Sequence, residues 1–332
     1  MTAVDPLRRL APVVRLAPAK LNLTLAVIGR RDDGYHSLHS VFVPLTLVDR
    51  LSLAPAAGGQ DTLHVSGLDA GPPAENLVFL AIAAARVAVG GWSGGPGPAP
   101  ALAARLDKRI PVAAGLAGGS SDAAAALDGA LEAWGAELDD EARRAVAASL
   151  GSDVPFFLVG GPALIEGRGE TVTALHGLHG APGVLLVTPV IGVSTPDVFA
   201  AFDAFRQHGD GAVRKSSAHL AEELRKGLTA ADLVARAGVL ASANDLLPAT
   251  AHVVPTLVPF KRGLSRLLGR PVGLSGSGPT LWALYPSEDQ AADAADVVRA
   301  AVRAGDLAAP GASEPFVTAT AIVGHLTEEQ RS

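Results

Sequence analysis

Hydrophobic and polar residues alternate along the first part of the chain, which is typical of strands. In "LAPAKLNLTLAVIGR", Lys20 and Asn22 alternate with leucines at positions 21, 23 and 25, so a strand would separate polar from apolar side chains. The alternation stops at "RDDGYH", where Asp33-Gly34 is a turn signal. The segments "SLHSVFVPLTL" and "DRLSLAP" are the next predicted strands.

Helical patterns and further strands follow along the rest of the chain. We predict helices in "ENLVFLAIAAARVAV" and in "STPDVFAAFDAF". Further predicted helices span 120–134, 139–150, 218–242, 256–268 and 287–304. Predicted strands are "LAARLDKRIP", "GVLLVTP", "FVTATAIVG", two strands within "PFFLVGGPALIEGRG" and two within "PVGLSGSGPTLWALYP". Predicted loops are 90–101 and the polar stretch 206–217. Without regular βαβ alternation, this mixture predicts two α+β domains with antiparallel sheets, over 1–172 and 173–332.

Composition narrows the class of protein. The chain has 332 residues, of which 48% are hydrophobic and 18% charged, as in globular proteins. There is no cysteine, which excludes disulfides, thiolate metal sites and cysteine nucleophiles. A net charge of −6 opposes a nucleic-acid partner. We find no signal-peptide pattern and no apolar run long enough to span a membrane, and therefore expect a soluble, cytoplasmic protein.

The stretch "PVAAGLAGGSSDAAAA" is the strongest chemical signal. Three glycines within five positions precede two serines, an aspartate and a run of helix-forming alanines. Such a loop can approach a ligand closely, and the helix behind it presents free amides and a positive dipole end. This combination favours a phosphate site, and the alternative is a glycine-rich loop with a Ser/Asp helix cap. The Walker A lysine and the Rossmann glycine spacing are both missing, so the cation that phosphate needs must come from another segment.

Two charged residues elsewhere are candidates for the chemistry. Lys20 lies in a strand that is otherwise neutral, where it is either an edge charge or a phosphate ligand. Asp153, in "GSDVPFFL", is either a turn or cap residue or a general base that accepts a hydroxyl proton.

Two further segments also allow either a structural or a ligand-binding role. The loop in "LSGSGPT" is either a hairpin connection or a cover over bound phosphates. The aromatic side chains of Tyr35, His36 and Phe199 are either core residues or partners for a flat ligand.

These motifs together resemble the GHMP kinases. "PVAAGLAGGSSDAAAA" resembles their phosphate-binding loop. "AKLNLTLAVIGRRDDGYHSLHSVF", "GSDVPFFL" and "LSGSGPTLW" resemble more specifically the family of 4-diphosphocytidyl-2-C-methyl-D-erythritol kinases. The resemblance implies an N-terminal domain like domain 2 of ribosomal protein S5 and a ferredoxin-like C-terminal domain. It also implies ATP and Mg²⁺ as cofactors, and phosphorylation of the 2-hydroxyl of 4-diphosphocytidyl-2-C-methyl-D-erythritol in the non-mevalonate isoprenoid pathway.

The resemblance also assigns roles to individual residues, with no assignment of metal ligands. Lys20 and Asp153 would be catalytic. The predicted ATP-binding residues are Asn76, Pro111, Val112, Ala113, Ala114, Gly115, Leu116, Ala117, Gly118, Gly119, Ser120 and Ser121. The predicted substrate-binding residues are Asn22, Tyr35, His36, Asp153, Thr195, Phe199, Ser277 and Gly278. Tyr35 and Phe199 would sandwich the cytosine ring, and His36 would hydrogen-bond to it.

One position departs from the family pattern, and several alternatives stay open. Ala117 stands where related loops often have glycine, and we expect a negative φ there. Another GHMP kinase activity, on homoserine or mevalonate, is an alternative function. A non-catalytic ligand-binding protein on the same fold is a further one. The oligomeric state is open between monomer and homodimer.

Overall fold

The structure is a computed structural model that describes residues 12–71, 75–90, 98–205 and 211–324. Parts of both predicted loops, at 91–97 and 206–210, lie outside the described residues. The strands are β1 (Val13–Arg30), β2 (His36–Pro55), β3 (Thr62–Gly67), β4 (Leu102–Lys108), β5 (Ala163–Gly167), β6 (Thr171–Ala174), β7 (Leu178–His179), β8 (Gly183–Thr188), β9 (Leu228–Thr229), β10 (Gly273–Leu274), β11 (Leu281–Tyr285) and β12 (Phe316–Ala321).

Helices lie between and after these strands. They are α1 (Leu77–Val89), α2 (Gly118–Trp134), α3 (Asp140–Leu150), α4 (Val154–Phe157), α5 (Thr195–Ala204), α6 (Ala212–Lys226), α7 (Ala230–Ala235), α8 (Ala237–Leu240), α9 (Leu247–Val253), α10 (Leu257–Leu268) and α11 (Glu288–Ala304).

Two larger sheets organise the described part of the chain. The first has the order β3-β4-β2-β5-β6, with β1 paired to β2, and is antiparallel except for the β3–β4 pair. The second has the order β10-β11-β8-β12 and is antiparallel throughout. A short parallel pair, β7 and β9, lies apart from both. The predicted α+β class with antiparallel sheets is therefore confirmed.

One apolar core holds the two larger sheets together. It contains Leu21 and Val43 from the first sheet and Val184, Leu186 and Leu284 from the second, all buried. The predicted alternation in β1 therefore does not separate a wet face from a dry one, because both faces of the strand are covered from Ala17 to Val27. Its polar side chains lie inside the protein, where each must find a hydrogen-bond partner.

The alanine run of α2 lets this helix lie close to the sheet. Ala123, Ala126 and Ala130 are buried together with Leu51 and Leu53 of β2 in a second core. Small side chains at these helical spacings form a smooth face that packs at short range. The close packing fixes where the N-terminus of α2 points, which positions the glycine-rich loop in front of it.

Several predicted elements differ in the structure. The stretch 206–217 is not a polar loop throughout, because α6 begins at Ala212. Residues 154–157 form a helical turn where we predicted a strand, and α9 was not predicted. Both segments place a proline in their first turn, where its fixed φ suits a helix, and both are too short for the apolar period to be visible.

The predicted domain boundary stays a prediction. A break between residues 172 and 173 would cut β6, which belongs to the first sheet. We therefore place it after Ala174 as a proposal. Among the described helices, none combines the length and apolar character needed to cross a membrane.

Candidate active site

The glycine-rich loop connects β4 to α2 and is held by hydrogen bonds from two other segments. The amide of Lys20 on β1 donates to the carbonyl of Leu116 at 3.0 Å. From the second half of the chain, the hydroxyl of Ser275 donates to the carbonyl of Gly115 at 2.9 Å. The loop is therefore fixed between the first sheet and the segment that follows β10.

Two of the three glycines are required by packing of the protein against itself. Gly115 has φ +78°, and an added Cβ would lie 2.4 Å from the carbonyl oxygen of Ser275. At Gly118 an added Cβ would lie 2.9 Å from Ile110 Cγ2. Gly119 is more open, with its nearest contact at 3.7 Å. The close approach to a ligand that we inferred for all three glycines therefore applies best to Gly119.

The backbone prediction for Ala117 is wrong. This residue has φ +53° and ψ +33° in the left-handed region, although it carries a Cβ. That conformation costs a non-glycine residue about 1–2 kcal/mol. The hydrogen bonds on the carbonyls of Gly115 and Leu116 hold the loop directly before the strained residue, and they supply the compensation that sequence alone does not reveal.

The predicted Ser/Asp cap of α2 is also wrong. The helix begins at Gly118, its N-cap is Ala117, and no side chain accepts from its first-turn amides. Gly118, Gly119 and Ser120 line the phosphate-loop cleft, and no described side chain caps their amides. The start of the helix therefore offers these amides and its positive dipole end to the cleft, which is the arrangement that binds phosphate. This observation favours the phosphate-binding interpretation of the loop over the capping one.

Lys20 lies at the centre of the site and is almost fully buried. Its ammonium donates to Asn22 Oδ1 at 2.7 Å and to the carbonyl of Gly115 at 2.9 Å, and it lies 4.7 Å from the ring centroid of Phe42. Burial lowers the pKa of Lys20, and the nearby carboxylate of Asp153 acts in the opposite direction. The alternative of an edge charge is excluded by this burial.

Asp153 is the closest carboxylate to this ammonium among the described ion pairs. Its Oδ2 lies 3.8 Å from Lys20 Nζ, and its side chain is one third exposed. Asp153 precedes α4 at the cap position, yet its side chain caps no amide. Its carboxylate is therefore not used by the helix and is available to a bound molecule.

Two clefts meet at Asp153, and Lys20 lines one of them. The phosphate-loop cleft, of about 430 Å³, is lined by the loop together with Lys20, Asn22, Asn76 and Lys108. The aromatic cleft, of about 700 Å³, is lined by Tyr35, His36, Arg168 and Asp203 among others. Both clefts share the side chains Leu38, Ser120, Asp153, Thr195 and Phe199.

The aromatic residues are arranged differently from the predicted sandwich. Phe199 stacks on His36, with ring centroids 4.7 Å apart and planes inclined by 21°. The Nε2 atom of His36 lies 2.7 Å from Asp203 Oδ1. Tyr35 is half exposed, and the guanidinium of Arg168 lies 5.4 Å from its ring centroid. One face of Phe199 is thus already covered by His36.

The structure brings most of the predicted site residues to the clefts. Thr195 Oγ1 and Ser277 Oγ are 2.8 Å apart, which joins the start of α5 to the segment after β10. Three predicted residues line neither cleft: Leu116 is in the core, Ser121 has a buried hydroxyl without a partner, and Gly278 packs against Leu274 and Thr250.

Sequence reasoning missed a buried charge cluster beneath the loop. Lys108 at the end of β4 hydrogen-bonds to Asp49 and, at 2.7 Å, to Asp122 Oδ2. Asp49 also accepts the amides of Arg109 and Ile110, at 2.5 and 2.9 Å. The missed signal is in the sequence, since Lys108 stands in "DKRIP" directly before the loop and Asp122 follows its serines.

Opposing effects set the pKa values in this cluster. Burial works against the charge of Lys108, but Asp122 and Asp49 outweigh it and raise the pKa of that lysine. Burial raises the pKa of Asp122 to about 7; Lys108 counteracts this rise and Asp49 adds to it. The described residues contain no group of three or more carboxylate or imidazole side chains placed to hold a metal ion.

Comparison with known proteins gives a consistent result. Residues 74–161 match the family model of the GHMP kinases N terminal domain. A 4-diphosphocytidyl-2-C-methyl-D-erythritol kinase from Pelotomaculum thermopropionicum is 40% identical over 274 residues, covering 82% of this chain and 88% of the relative. A counterpart from Nocardia farcinica is 40% identical over 296 residues, covering 88% and 91%.

Solved structures agree with these relatives. A crystal structure of a 4-(cytidine 5'-diphospho)-2C-methyl-D-erythritol kinase is 31% identical and superposes with a TM-score of 0.64, over 93% of this chain and 99% of the other. The structure of a homoserine kinase from Cytophaga hutchinsonii superposes with a TM-score of 0.66 at 16% identity, over 97% and 96%. The second likeness concerns the fold alone.

The raised pKa of Asp122 predicts a pH-dependent contribution to stability. The folded protein holds the Asp122 proton up to about pH 7, whereas the unfolded chain releases it near 3.8. The unfolded state therefore binds fewer protons between these values, and the contribution of Asp122 to stability falls as the pH rises through this window. We expect the free energy of unfolding of the native chain, minus that of Asp122→Asn, to decrease from pH 5 to pH 7 and to be flat from 7.5 to 8.5. Urea unfolding at each pH measures this difference, and an increase with pH would contradict it.

Proposed function

The chain belongs to the 4-diphosphocytidyl-2-C-methyl-D-erythritol kinase family within the GHMP kinases. From that membership we propose that it transfers the γ-phosphate of ATP to the 2-hydroxyl of 4-diphosphocytidyl-2-C-methyl-D-erythritol. This reaction is a step of the non-mevalonate route to isoprenoid precursors. The single observation that carries the proposal is that Asp153 and Ser120 line both clefts, so a donor in one and an acceptor in the other would meet beside them.

The phosphate-loop cleft fits the donor. The uncapped amides at the start of α2 would hold the ATP phosphates, with Ser120 contributing a hydroxyl. Asn76 lines the same cleft beside the start of α1, where its own side chain accepts from the Val78 amide at 3.0 Å. The amide nitrogen of Asn76 would then be the group that donates hydrogen bonds to the nucleotide.

The transfer itself needs alignment and charge neutralisation more than covalent catalysis. Asp153 would accept the proton of the substrate hydroxyl while the hydroxyl oxygen forms its bond to the γ-phosphorus and the bond to the ADP oxygen breaks. Lys20 carries its positive charge into a nearly dry position, where it acts strongly on developing negative charge. Asn22 and the Gly115 carbonyl fix the direction of the ammonium.

The oxygen donors of the cleft fit a magnesium ion that travels with the nucleotide. Mg²⁺ in such sites is bound by substrate phosphates, waters and one or two protein oxygens. Ser120 offers such an oxygen where the clefts meet, whereas the Ser121 hydroxyl is buried away from them. When bound, Mg²⁺ neutralises charge on the β- and γ-phosphates.

The aromatic cleft fits a cytosine ring. A carboxylate only accepts hydrogen bonds, so His36 Nε2 carries the hydrogen that faces Asp203. In the neutral ring, Nδ1 is then left as an acceptor, which suits the exocyclic amine of cytosine and repels the carbonyl oxygen at the same place in uracil. Tyr35, half exposed at the rim, would cover the outer face of the base.

The alternatives are less well supported. Homoserine and mevalonate kinases share the fold at 16% and 12% identity in the structures compared, far below the 40% of the Pelotomaculum relative. A non-catalytic binding protein on this fold would not need a buried lysine beside a partly exposed carboxylate. This chain has both, at 3.8 Å.

Replacement of the proposed base tests the mechanism. Asp153→Asn keeps the size of the side chain but cannot accept the hydroxyl proton, and we expect kcat to fall about 10²–10⁴-fold. Because the phosphates are held by α2, the affinity for ADP should change by less than about threefold. The matched control is Asp197→Asn, an exposed carboxylate in the first turn of α5 that lines neither cleft, and it should retain full activity. An active Asp153→Asn enzyme would show that Asp153 is not the base.

A panel of acceptors tests the substrate. With ATP and Mg²⁺, ADP should form with the cytidyl methylerythritol and not with homoserine or mevalonate. The uridine analogue should have a kcat/KM lower by at least about tenfold, because its carbonyl would face the acceptor Nδ1 of His36. Turnover of homoserine or mevalonate without turnover of the cytidyl substrate would overturn the assignment, and equal use of both bases would overturn the role of His36.

A further inference from the structure

A third cavity lies between α9 and α10 and shares no lining residue with the two clefts. Its volume is about 410 Å³, within the range of small-molecule sites. It is lined by Leu247, Pro248, Ala251, Leu257, Val258, Lys261, Arg262 and Ser265. Most of this lining is aliphatic, so the cavity suits a hydrocarbon chain better than a polar molecule.

Two cations lie at this aliphatic cavity without a counter-ion among the described residues. Lys261 and Arg262 form no ion pair or side-chain hydrogen bond with any residue that the structure describes. Lys261 is only partly exposed. Desolvation by burial lowers its pKa, and no carboxylate acts against that effect. A half-buried ammonium normally has a partner, and its absence here indicates a place for an external anion.

The sequence around these cations supplies no carboxylate. Positions 246–287 contain no aspartate or glutamate, although the whole chain has 33 acidic residues and a net charge of −6. The same stretch carries Lys261, Arg262, Arg266 and Arg270. A local positive field on an acidic protein attracts anions to this surface.

We propose that the groove between α9 and α10 is a second ligand site, which binds a small amphiphilic anion. The aliphatic chain of this ligand lies in the cavity against Ala251, Leu257 and Val258, and its phosphate head lies at Lys261 and Arg262. A phosphate dianion can pair with the compact ammonium of Lys261 and accept hydrogen bonds from the planar guanidinium of Arg262. Apolar burial and charge neutralisation are both needed, since neither is large by itself at a partly open site.

The helix α9 connects the proposed site with the catalytic clefts. Leu246, directly before α9, lines the phosphate-loop cleft, and Leu247 lines the new cavity. Thr250 on the same helix donates to the carbonyl of Ser277 at 3.1 Å. An occupant would therefore contact the helix that holds the segment next to the catalytic site.

Calorimetric titration with octyl phosphate tests the proposal, with saturating ADP present to fill the phosphate loop. We expect saturable binding to one site, with inorganic phosphate and octan-1-ol each binding at least about tenfold more weakly. The double variant Lys261→Gln/Arg262→Gln should weaken octyl phosphate at least about tenfold. The matched control is Arg266→Gln, an exposed cation one turn further along α10 that does not line the cavity, and its affinity should stay within about twofold.

A second variant tests the hydrocarbon part independently. Ala251→Phe fills the cavity and should abolish the octyl phosphate signal, with circular dichroism used to verify the fold. Equal affinity of the native chain and the double variant would overturn the proposal, as would octan-1-ol or inorganic phosphate binding as tightly as octyl phosphate. None of these outcomes depends on the kinase activity, so a failure here is distinguishable from a failure of the proposed function.

Discussion

The burial of the Lys20 ammonium is the constraint on which the catalytic site depends. A charge this deep needs several partners, because an unpaired buried ion is strongly unfavourable. Its partners come from three segments: Asn22 on the same strand, Gly115 in the loop and Asp153 before α4. The hydroxyl of Ser275 reaches the same Gly115 carbonyl from the second half of the chain. Satisfying one lysine therefore brings together the pieces of the site.

This arrangement explains why the phosphate loop has no lysine of its own. The loop contributes amides and a helix end, and the cations come from β1 and β4. Lys20 faces the place where the clefts meet, and Lys108 neutralises carboxylates beneath the loop. The strain at Ala117 fits the same scheme, since hydrogen bonds from β1 and from the segment after β10 fix the two loop residues directly before it.

Much of the fold could be predicted from the sequence, for identifiable reasons. Long periodic segments such as α1, α11 and β1 are visible in the hydrophobic pattern, whereas the two strands predicted after the Asp33-Gly34 turn are the single strand β2. Lys20 and Asp153, which the resemblance predicts to be catalytic, lie 3.8 Å apart. The backbone of Ala117, the true start of α2 and the stacking of His36 on Phe199 could not be predicted. Each is decided by contacts with residues far away in the chain: Ser275 for the loop, and α5 for His36. The cluster of Lys108 and Asp122 was missed because local reasoning assigned the aspartate to a helix cap.

The central claim is that the charge of Lys20 serves the reaction and not the stability of the fold. The variant Lys20→Met replaces the lysine by an uncharged side chain of similar length. The carboxylate of Asp153 remains hydrated in this variant because it is one third exposed. Removing one member of a buried ion pair is costly when the other charge stays buried, and the exposure of Asp153 avoids that cost. The most direct test is the single-turnover rate of phosphoryl transfer in this variant, with both substrates saturating. We predict a fall of about 10²–10³-fold, and a rate within a few-fold of the native one would contradict the account.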